Sequence, residues 1–291
     1  MEGFHCYGSA MKSGSFRSRR LRSTLGVFTA GLCAGGVAAV LLLILGYVIH
    51  KGIGAISIAF LTQVPHPIGV PGGGVANGIV GSAIIVGIAA LMAIPIGALT
   101  GVYLTYFGRG SFCATVRFLS DVLSGIPSIA IGLFAYTVLV APLGHFSALS
   151  ASFAFAILML PVIITTTETA IRGVSHEVYE AALALGVPRH YAITRIILPS
   201  ARSGIITGIV LAMARVTGET APLLFTAFGS QFWELNPNNP MAELSLQVFT
   251  YAISPYRSWH EQAWGGALIL IFMVFVLNIG ARVVLKPRFR S

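Results

Sequence analysis

Charged residues are scarce in this chain. Only 9% of its 291 residues are Asp, Glu, Lys or Arg, whereas 56% are hydrophobic and the mean hydropathy is +0.86. Soluble domains carry about 25% charged residues, so this chain has too few polar groups to cover a globular surface in water. The composition therefore predicts a membrane protein.

Patterns for catalysis and metal binding are also lacking. The three cysteines are odd in number and widely spaced, and no two of the seven histidines lie at ligand spacing, so no disulfide or metal site is predicted. None of the three lysines completes the phosphate-binding pattern G-x-x-x-x-G-K-[ST]. We expect a chain that is not an enzyme. If it pumps a solute, ATP hydrolysis takes place on another chain.

Six apolar runs reach the ~20 residues that a helix needs to cross a bilayer. They cover residues 25–49, 77–106, 118–140, 147–168, 204–229 and 263–285. The first run is longer than the core of a signal peptide, about 7–15 residues, so we expect a retained anchor at 25–49. The sequence thus predicts an all-α membrane protein with six transmembrane helices, five of them in a core at 70–285.

Basic residues set the predicted orientation, because they are enriched in cytoplasmic segments. If both termini are cytoplasmic, all but three of the 18 basic residues lie inside; Lys51 and Arg257 lie outside, and Arg215 lies within a span. This asymmetry explains the net charge of +9, and no nucleic-acid partner is expected. Residues 1–24 are predicted to be a disordered cytoplasmic tail and 286–291 a second tail. The external loops, about 50–76 and 230–262, are too short to capture a ligand by themselves.

Four spans contain prolines that remove helical hydrogen bonds, at Pro95, Pro127, Pro161 and Pro222. Carbonyls freed in this way are tolerated where protein or a water-filled cavity satisfies them. Each proline therefore indicates either an ordinary kink or a permeation pathway, and the neighbours of Pro127 and Pro222 favour a pathway. Ser124, Ser128 and Gly132 are four residues apart, which is typical of a close helix contact and also compatible with a pathway.

The fifth predicted span contains Arg215 and Glu219, four residues apart, so the two can pair on one face of a helix. Because an arginine inside a membrane is costly, it indicates function by default. One interpretation is an internal ion pair that lets the helix insert. The other is an anion gate, in which the guanidinium binds phosphate or carboxylate oxygens and Glu219, with Thr220 beside it, modulates binding.

Between the fourth and fifth spans lies a polar segment, residues 172–202, whose composition predicts a short surface helix. It resembles the EAA signature of ABC-importer permeases, in which this loop docks on the ATPase subunit. The matching residues are Glu180, Ala181, Ala182, Gly186, Ile196, Leu198 and Pro199.

A narrower resemblance is to phosphate permeases of the PstA type. It is carried by the run from Arg215 to Ala227, by Ser124-Gly125-Ile126-Pro127-Ser128, and by Pro71-Gly72-Gly73-Gly74. The resemblance implies a type I ABC-importer fold and a phosphate importer that works by alternating access, in a bacterial or archaeal plasma membrane. The implied partners are a PstC-type permease, two PstB-type ATPase subunits that carry ATP and Mg, and a phosphate-binding protein.

Two other functions remain open at this stage. An ABC permease for another oxyanion, such as sulfate or molybdate, would share the coupling loop, but the segment from Arg215 to Ala227 favours phosphate. An ion-coupled secondary transporter or channel would lack the coupling loop and is expected to show an inverted repeat, which is not evident here. A role in phosphate sensing is also compatible with the sequence.

Overall fold

The computed structural model describes residues 14–67, 70, 72–108 and 110–284, and only the backbone of 14–19, 22 and 281–284. Every regular element in these ranges is helical. The chain divides into two compact units, Met1–His50 and Lys51–Ser291. The predicted tail at 286–291 and the first 13 residues of the predicted N-terminal tail lie outside the described residues.

The described α-helices are, in chain order, α1 (Gly14–Gly52), α2 (Ile58–Thr62), α3 (Ala76–Tyr106), α4 (Ser111–Gly125), α5 (Ser128–Ala135), α6 (Ala141–Leu143), α7 (Ala148–Arg172), α8 (His176–Ala184), α9 (Arg189–Ala192), α10 (Leu198–Thr217), α11 (Leu223–Thr226), α12 (Leu244–Ala252) and α13 (Arg257–Val284). A 3₁₀ turn follows α1 at Ile53–Ala55. Two π-helical turns, Tyr136–Val140 and Ile193–Ile197, join α5 to α6 and α9 to α10.

In the first unit, the described residues all belong to α1. Its side chains from Ser23 onward are almost all exposed and mostly apolar, which suits a helix surrounded by lipid. The sequence predicts disorder up to residue 24, but α1 begins at Gly14. Four of the residues from Gly14 to Thr24 are arginines, which favour the helix.

Five helical segments are long and apolar enough to cross a membrane: Ser23–Ala55, Ala76–Tyr106, Ala148–Arg172, Arg189–Thr217 and Arg257–Gly280. A sixth is obtained if α4 and α5–α6, which meet at an angle of 104°, count as one broken span. The six predicted spans therefore correspond to these segments, but the third and fifth predicted spans differ in form. The third is sharply bent, and the fifth begins at Arg189 and ends at Thr217 instead of running on to residue 229.

Helix α7 lies at the centre of the second unit. Its contact with α3 is the most extensive contact between two described helices, and its contact with α10 is the next most extensive. Phe155, Met159 and Ile163 on α7 are completely buried in the main apolar core. The helices approach closely because glycines face α7: a Cβ added at Gly101 of α3 would lie 2.8 Å from the Cβ of Thr167. Small residues at such contacts are typical of membrane helix pairs.

The glycine-rich part of α10 also faces α7. A Cβ added at Gly208 would overlap the side chain of Thr166, and Ala212, one turn further along, is completely buried. The predicted stripe of small residues on this helix is therefore a packing surface against protein over its first half.

The first amides of α7 are satisfied by the segment that follows α11. Ala148 N donates to Asn239 O at 3.1 Å, and Leu149 N donates to Pro237 O at 3.0 Å. The first amides of a helix have no partner within it, so these bonds attach the segment to the N-terminal end of α7. The predicted external loop 230–262 also contains the helix α12, which packs against both α3 and α13.

The helices predicted to continue through Pro127 and Pro222 are instead interrupted, each by a short non-helical segment that we call a break. Between α4 and α5, Ile126 and Pro127 are extended, and between α10 and α11 the helical hydrogen bonding stops at Gly218. Pro95 and Pro161, by contrast, lie within uninterrupted helices. Because a helix ends easily before a proline, the sequence could predict the positions of the breaks, whereas tertiary packing decides which prolines cause one.

The contact of α10 with α7 leads to a first prediction. Gly208→Ala should destabilise the detergent-solubilised protein by about 1–3 kcal/mol, the usual cost of overpacking, because the added methyl group would overlap Thr166. Thermal unfolding measures the effect. Gly87→Ala on α3 is the matched control, since an added Cβ there meets no atom within 4 Å. Equal unfolding temperatures for the two variants would contradict the close contact.

Candidate functional site

The helix that follows the first break, α5, packs against the second break. Gly132 of α5 sits directly against Pro222, such that an added Cβ would lie 2.5 Å from the Cα of Pro222. We call residues 124–128 and 218–222 the paired breaks. The contact places α5, which begins at Ser128, beside the second break.

Arg215, Glu219 and Thr220 lie at the second break. Arg215 is exposed in the last turn of α10, while Glu219 and Thr220 are half-buried beyond the end of that helix. Neither charged side chain belongs to an ion pair within 4 Å among the described residues. The ion pair that the four-residue spacing allows is therefore not formed in the described structure, in which α10 ends at Thr217, two residues before Glu219.

Ser124 and Ser128 lie on either side of the first break. Ser124 is exposed and donates to the carbonyl of Ser120 at 3.1 Å, which satisfies its hydroxyl within α4. Ser128 is half-buried in the first turn of α5. Of the predicted ridge, only Gly132 makes the expected close helix contact, and the two serines are left at the surface of the break.

A completely buried carboxyl, Glu243, adjoins the second break and was not singled out from the sequence. The Ser82 hydroxyl lies 2.9 Å from its Oε1, the Leu246 amide donates to its Oε2 at 3.0 Å, and the Ser245 hydroxyl lies 2.6 Å from the same Oε2. Ser245 Oγ is also 3.0 Å from the carbonyl oxygen of Glu219. Glu243 is therefore linked to the break through one hydroxyl group.

Glu243 lies in a poorly solvated environment at the N-cap of α12. It borders a cavity of about 170 Å³ whose lining includes Ser230, Gln231, Gln247 and Tyr251 but no Lys, Arg or His. Burial raises the pKa of Glu243 from 4.5 to about 7, against the opposing effect of its hydrogen bonds. The signal in the sequence was a lone acidic residue inside the apolar run Met241-Ala242-Glu243-Leu244.

The predicted surface helix in the segment 172–202 is α8, which carries Glu180, Ala181 and Ala182. Ala182 is buried, whereas Glu180 and Ala181 are exposed. The helix ends at Gly186 in a Schellman motif: Gly186 N donates to Leu183 O at 2.9 Å and Val187 N to Ala182 O at 3.1 Å. Gly186 has a φ of +80°, which favours glycine. This turn leaves Leu185 85% exposed.

The second half of the segment 172–202, the predicted coupling loop, is helical. Ile196, Leu198 and Pro199 belong to the continuous span Arg189–Thr217, which carries Arg215 near its other end. A π-turn at Ile193–Ile197 directly precedes Pro199, whose missing N–H leaves one helical carbonyl without its usual donor. One helix thus connects the coupling motif to the paired breaks.

Ionic contacts join three helices at the ends next to α8. Glu168 Oε1 on α7 lies 2.9 Å from Arg117 Nη2 on α4 and 2.6 Å from Arg172 Nη2. Arg117 also donates to the carbonyl of Leu104 on α3 at 2.9 Å. The tyrosine rings of Tyr106 and Tyr179 are 4.7 Å apart, which seats α8 on the end of α3. Within the described residues, no three His, Cys, Asp or Glu side chains are arranged to hold a metal.

Comparisons with known proteins identify relatives of the whole chain. Residues 93–290 match the family of binding-protein-dependent transport system inner membrane components. The chain is 43% identical to the phosphate transport system permease protein PstA of Yersinia pestis, over 85% of this chain and 84% of that one. It is 41% identical to the protein of the same name from Pasteurella multocida, over 94% of this chain and 98% of that one.

The fold has a solved relative. An inward-facing crystal structure of the MetNI methionine ABC transporter superimposes with a TM-score of 0.61 at 16% identity, over 72% of this chain and 94% of that chain. At this identity the similarity concerns the fold alone, and it confirms the predicted fold class.

The raised pKa of Glu243 makes stability depend on pH. Below about pH 4.5 the carboxyl is protonated in both the folded and the unfolded chain, and its contribution to stability is fully present; that contribution is lost as the pH rises through about 7. The unfolding temperature of the wild type should therefore fall as the pH rises over this range, whereas the unfolding temperature of Glu243→Gln should change less. Glu261→Gln, at an exposed carboxylate, is the control and should follow the wild type. Parallel pH profiles for all three proteins would contradict the assignment.

Proposed function

Since the chain belongs to the binding-protein-dependent transport system inner membrane components, and among them to the PstA phosphate permeases, we propose that it is a transmembrane subunit of an ATP-driven phosphate importer. The observation that carries this proposal is the identity of 41–43% to PstA proteins over almost the full length of both chains. The subunit itself is non-catalytic, and it moves phosphate that a binding protein delivers.

The exposed end of α8 supports the coupling role. Leu185 projects beside the Schellman turn, and an exposed leucine of this kind gains about 1.5–3 kcal/mol when a partner covers it. We place this surface against the ATPase subunits, which are of the PstB type and hold ATP and Mg. Ala182 and Tyr179 fix α8 to the rest of the permease, so that movement of the ATPase reaches the membrane helices.

The continuous span Arg189–Thr217 supports transmission of that movement. Ile196, Leu198 and Pro199 lie near one end, and Arg215 lies near the other. A helix of 29 residues is about 43 Å long at 1.5 Å per residue. Displacement of the coupling segment should therefore tilt the whole helix and move the paired breaks, which is the geometry that alternating access needs.

The state of Arg215 supports an anion pathway. Its guanidinium is exposed and unpaired among the described ion pairs, so it is available to phosphate oxygens, which it can bind in a bidentate manner. Glu219, Thr220, Ser124 and Ser128 lie at the same paired breaks and would line the route. The exposed face of these breaks would be completed by a second permease of the PstC type, forming a heterodimer with the pathway between the subunits.

The proposed orientation follows the distribution of basic residues, with both termini and α8 in the cytoplasm. The ends of α3 and α13 near Gly72 and Gln262, joined by the bond from Gln262 Nε2 to Gly72 O at 3.1 Å, then face the phosphate-binding protein. The chain would reside in the inner membrane as a multi-pass protein.

Radiolabelled phosphate uptake in cells that depend on this transporter tests the proposal. Arg215→Gln should reduce uptake about tenfold or more, because a hydrogen bond to a charged group contributes about 1.5–3 kcal/mol. Arg20→Gln, at an exposed arginine of α1 that lies outside both the segment 172–202 and the paired breaks, is the control and should transport normally. Unlabelled phosphate should compete with the label, and sulfate and molybdate should not.

Two results would overturn the substrate assignment. One is uptake that molybdate or sulfate abolishes and phosphate does not. The other is an equal loss of uptake in the Arg215 and Arg20 variants, which would mean that Arg215 has no special contact with the anion.

Leu185→Asp tests the coupling surface. Burying a charge against the ATPase is costly, so we expect the ATPase to co-purify at least tenfold less and phosphate uptake to fall in parallel, with the permease present at normal levels. Leu235→Asp is the control, since Leu235 is also an exposed leucine but lies in the loop proposed to be external. Retention of the ATPase by Leu185→Asp would contradict the docking site.

A further inference from the structure

Ser245 occupies a position in which its single hydroxyl proton faces two acceptors. Its Oγ is 2.6 Å from Glu243 Oε2 and 3.0 Å from the carbonyl oxygen of Glu219. A hydroxyl carries one donor proton and two acceptor lone pairs. If Glu243 were ionised, Ser245 could donate fully to only one of these two oxygens.

A protonated Glu243 removes the conflict. Its Oε2–H donates to Ser245 Oγ, and the Ser245 proton is then free for Glu219 O. The other contacts agree with this state: Ser82 Oγ accepts from Leu244 N at 2.9 Å and donates to Oε1, while the Leu246 amide donates to a lone pair of Oε2. Every polar atom of the group has a partner, as buried polar groups require.

Among the described residues that line the cavity beside Glu243, none is Lys, Arg or His. α3 contains no Asp, Glu, Lys, Arg or His, and Tyr251, whose pKa burial raises, is the other titratable group that lines the cavity. Glu219 reaches this group through its backbone carbonyl oxygen, which lies 3.0 Å from Ser245 Oγ. On the neighbouring segments, Glu234 is bound to Asn236 and Asn239, and Arg257, His260 and Glu261 lie at the N-terminal end of α13, where Arg257 and Glu261 are largely exposed.

We propose that Glu243 and Ser245 are positioning residues for the permeation route: a protonated Glu243 commits the Ser245 hydroxyl to the Glu219 carbonyl and so holds the second break in place. Loss of that proton would turn the Ser245 hydroxyl toward the carboxylate and release the Glu219 backbone. The consequence for transport rests on the proposed phosphate importer, whereas the consequence for the backbone does not.

Hydrogen–deuterium exchange of the full-length protein in lipid nanodiscs tests the backbone part. Ser245→Ala should speed exchange of the amides in residues 218–224 about threefold to tenfold, the equivalent of one lost hydrogen bond, and Ser245→Thr should retain wild-type exchange. Between about pH 6 and about pH 8 the wild type should lose protection relative to Glu243→Gln, whose amide does not titrate. The intrinsic pH dependence of exchange is the same in both proteins and cancels in the ratio.

Unchanged exchange in Ser245→Ala, or a constant ratio of wild type to Glu243→Gln over this pH range, would overturn the proposal. The comparison of Ser245→Ala with Ser245→Thr keeps the test decisive even if Glu243→Gln does not fold.

Phosphate uptake then supplies the transport part. We expect Ser245→Ala to lower the maximal rate about threefold to tenfold at equal protein levels, with Ser245→Thr restoring it. The protonation of phosphate itself cancels when variants are compared at one pH. If the exchange result holds but the wild type takes up no phosphate, the proposed function fails and the positioning role stands. If exchange responds and the uptake of Ser245→Ala is normal, the role in the route is wrong.

Discussion

The close approach of α3 and α10 to α7 is the contact on which the rest of the second unit depends. It exists because Gly101 and Gly208 present no side chain toward Thr167 and Thr166. Lipid provides little hydrophobic force between helices, so dispersion contacts at such small-residue surfaces hold them together. This packing holds α10 against α7, and α10 carries Arg215 in its last turn.

At the paired breaks, the backbone lacks regular helical hydrogen bonds, and polar side chains are exposed. Pro127 and Pro222 lie where helices are interrupted, and Gly132 lets α5 pack directly against Pro222. The backbone freed in this way needs other partners, and Ser245, backed by the buried Glu243, supplies one of them. A polar site among apolar helices is thus supported from behind by a short helix, α12, outside the membrane-spanning segments.

The helical span Arg189–Thr217 connects the two ends of the proposed mechanism. The coupling motif at one end is held by α8 and its Schellman turn, and the route at the other end is held by the breaks. Because a continuous helix transmits displacement along its length, the ATPase and the anion need not be near each other. Glu168, which binds Arg117 and Arg172, ties α4 and α7 together at the coupling end.

By itself, the sequence determined the membrane class and the number of apolar runs, and it singled out the residues of the proposed coupling motif and Arg215 as candidates, because apolar length, motif spacing and a costly charge are local properties. The sequence did not identify Glu243 as a site residue, because its burial depends on α3, which is far away in the chain. Only tertiary structure decided that Pro127 and Pro222 break helices whereas Pro95 and Pro161 do not, and that Arg215 and Glu219 are not paired. A helix continues or stops according to what packs around it, and two residues four apart share a face only while the helix lasts.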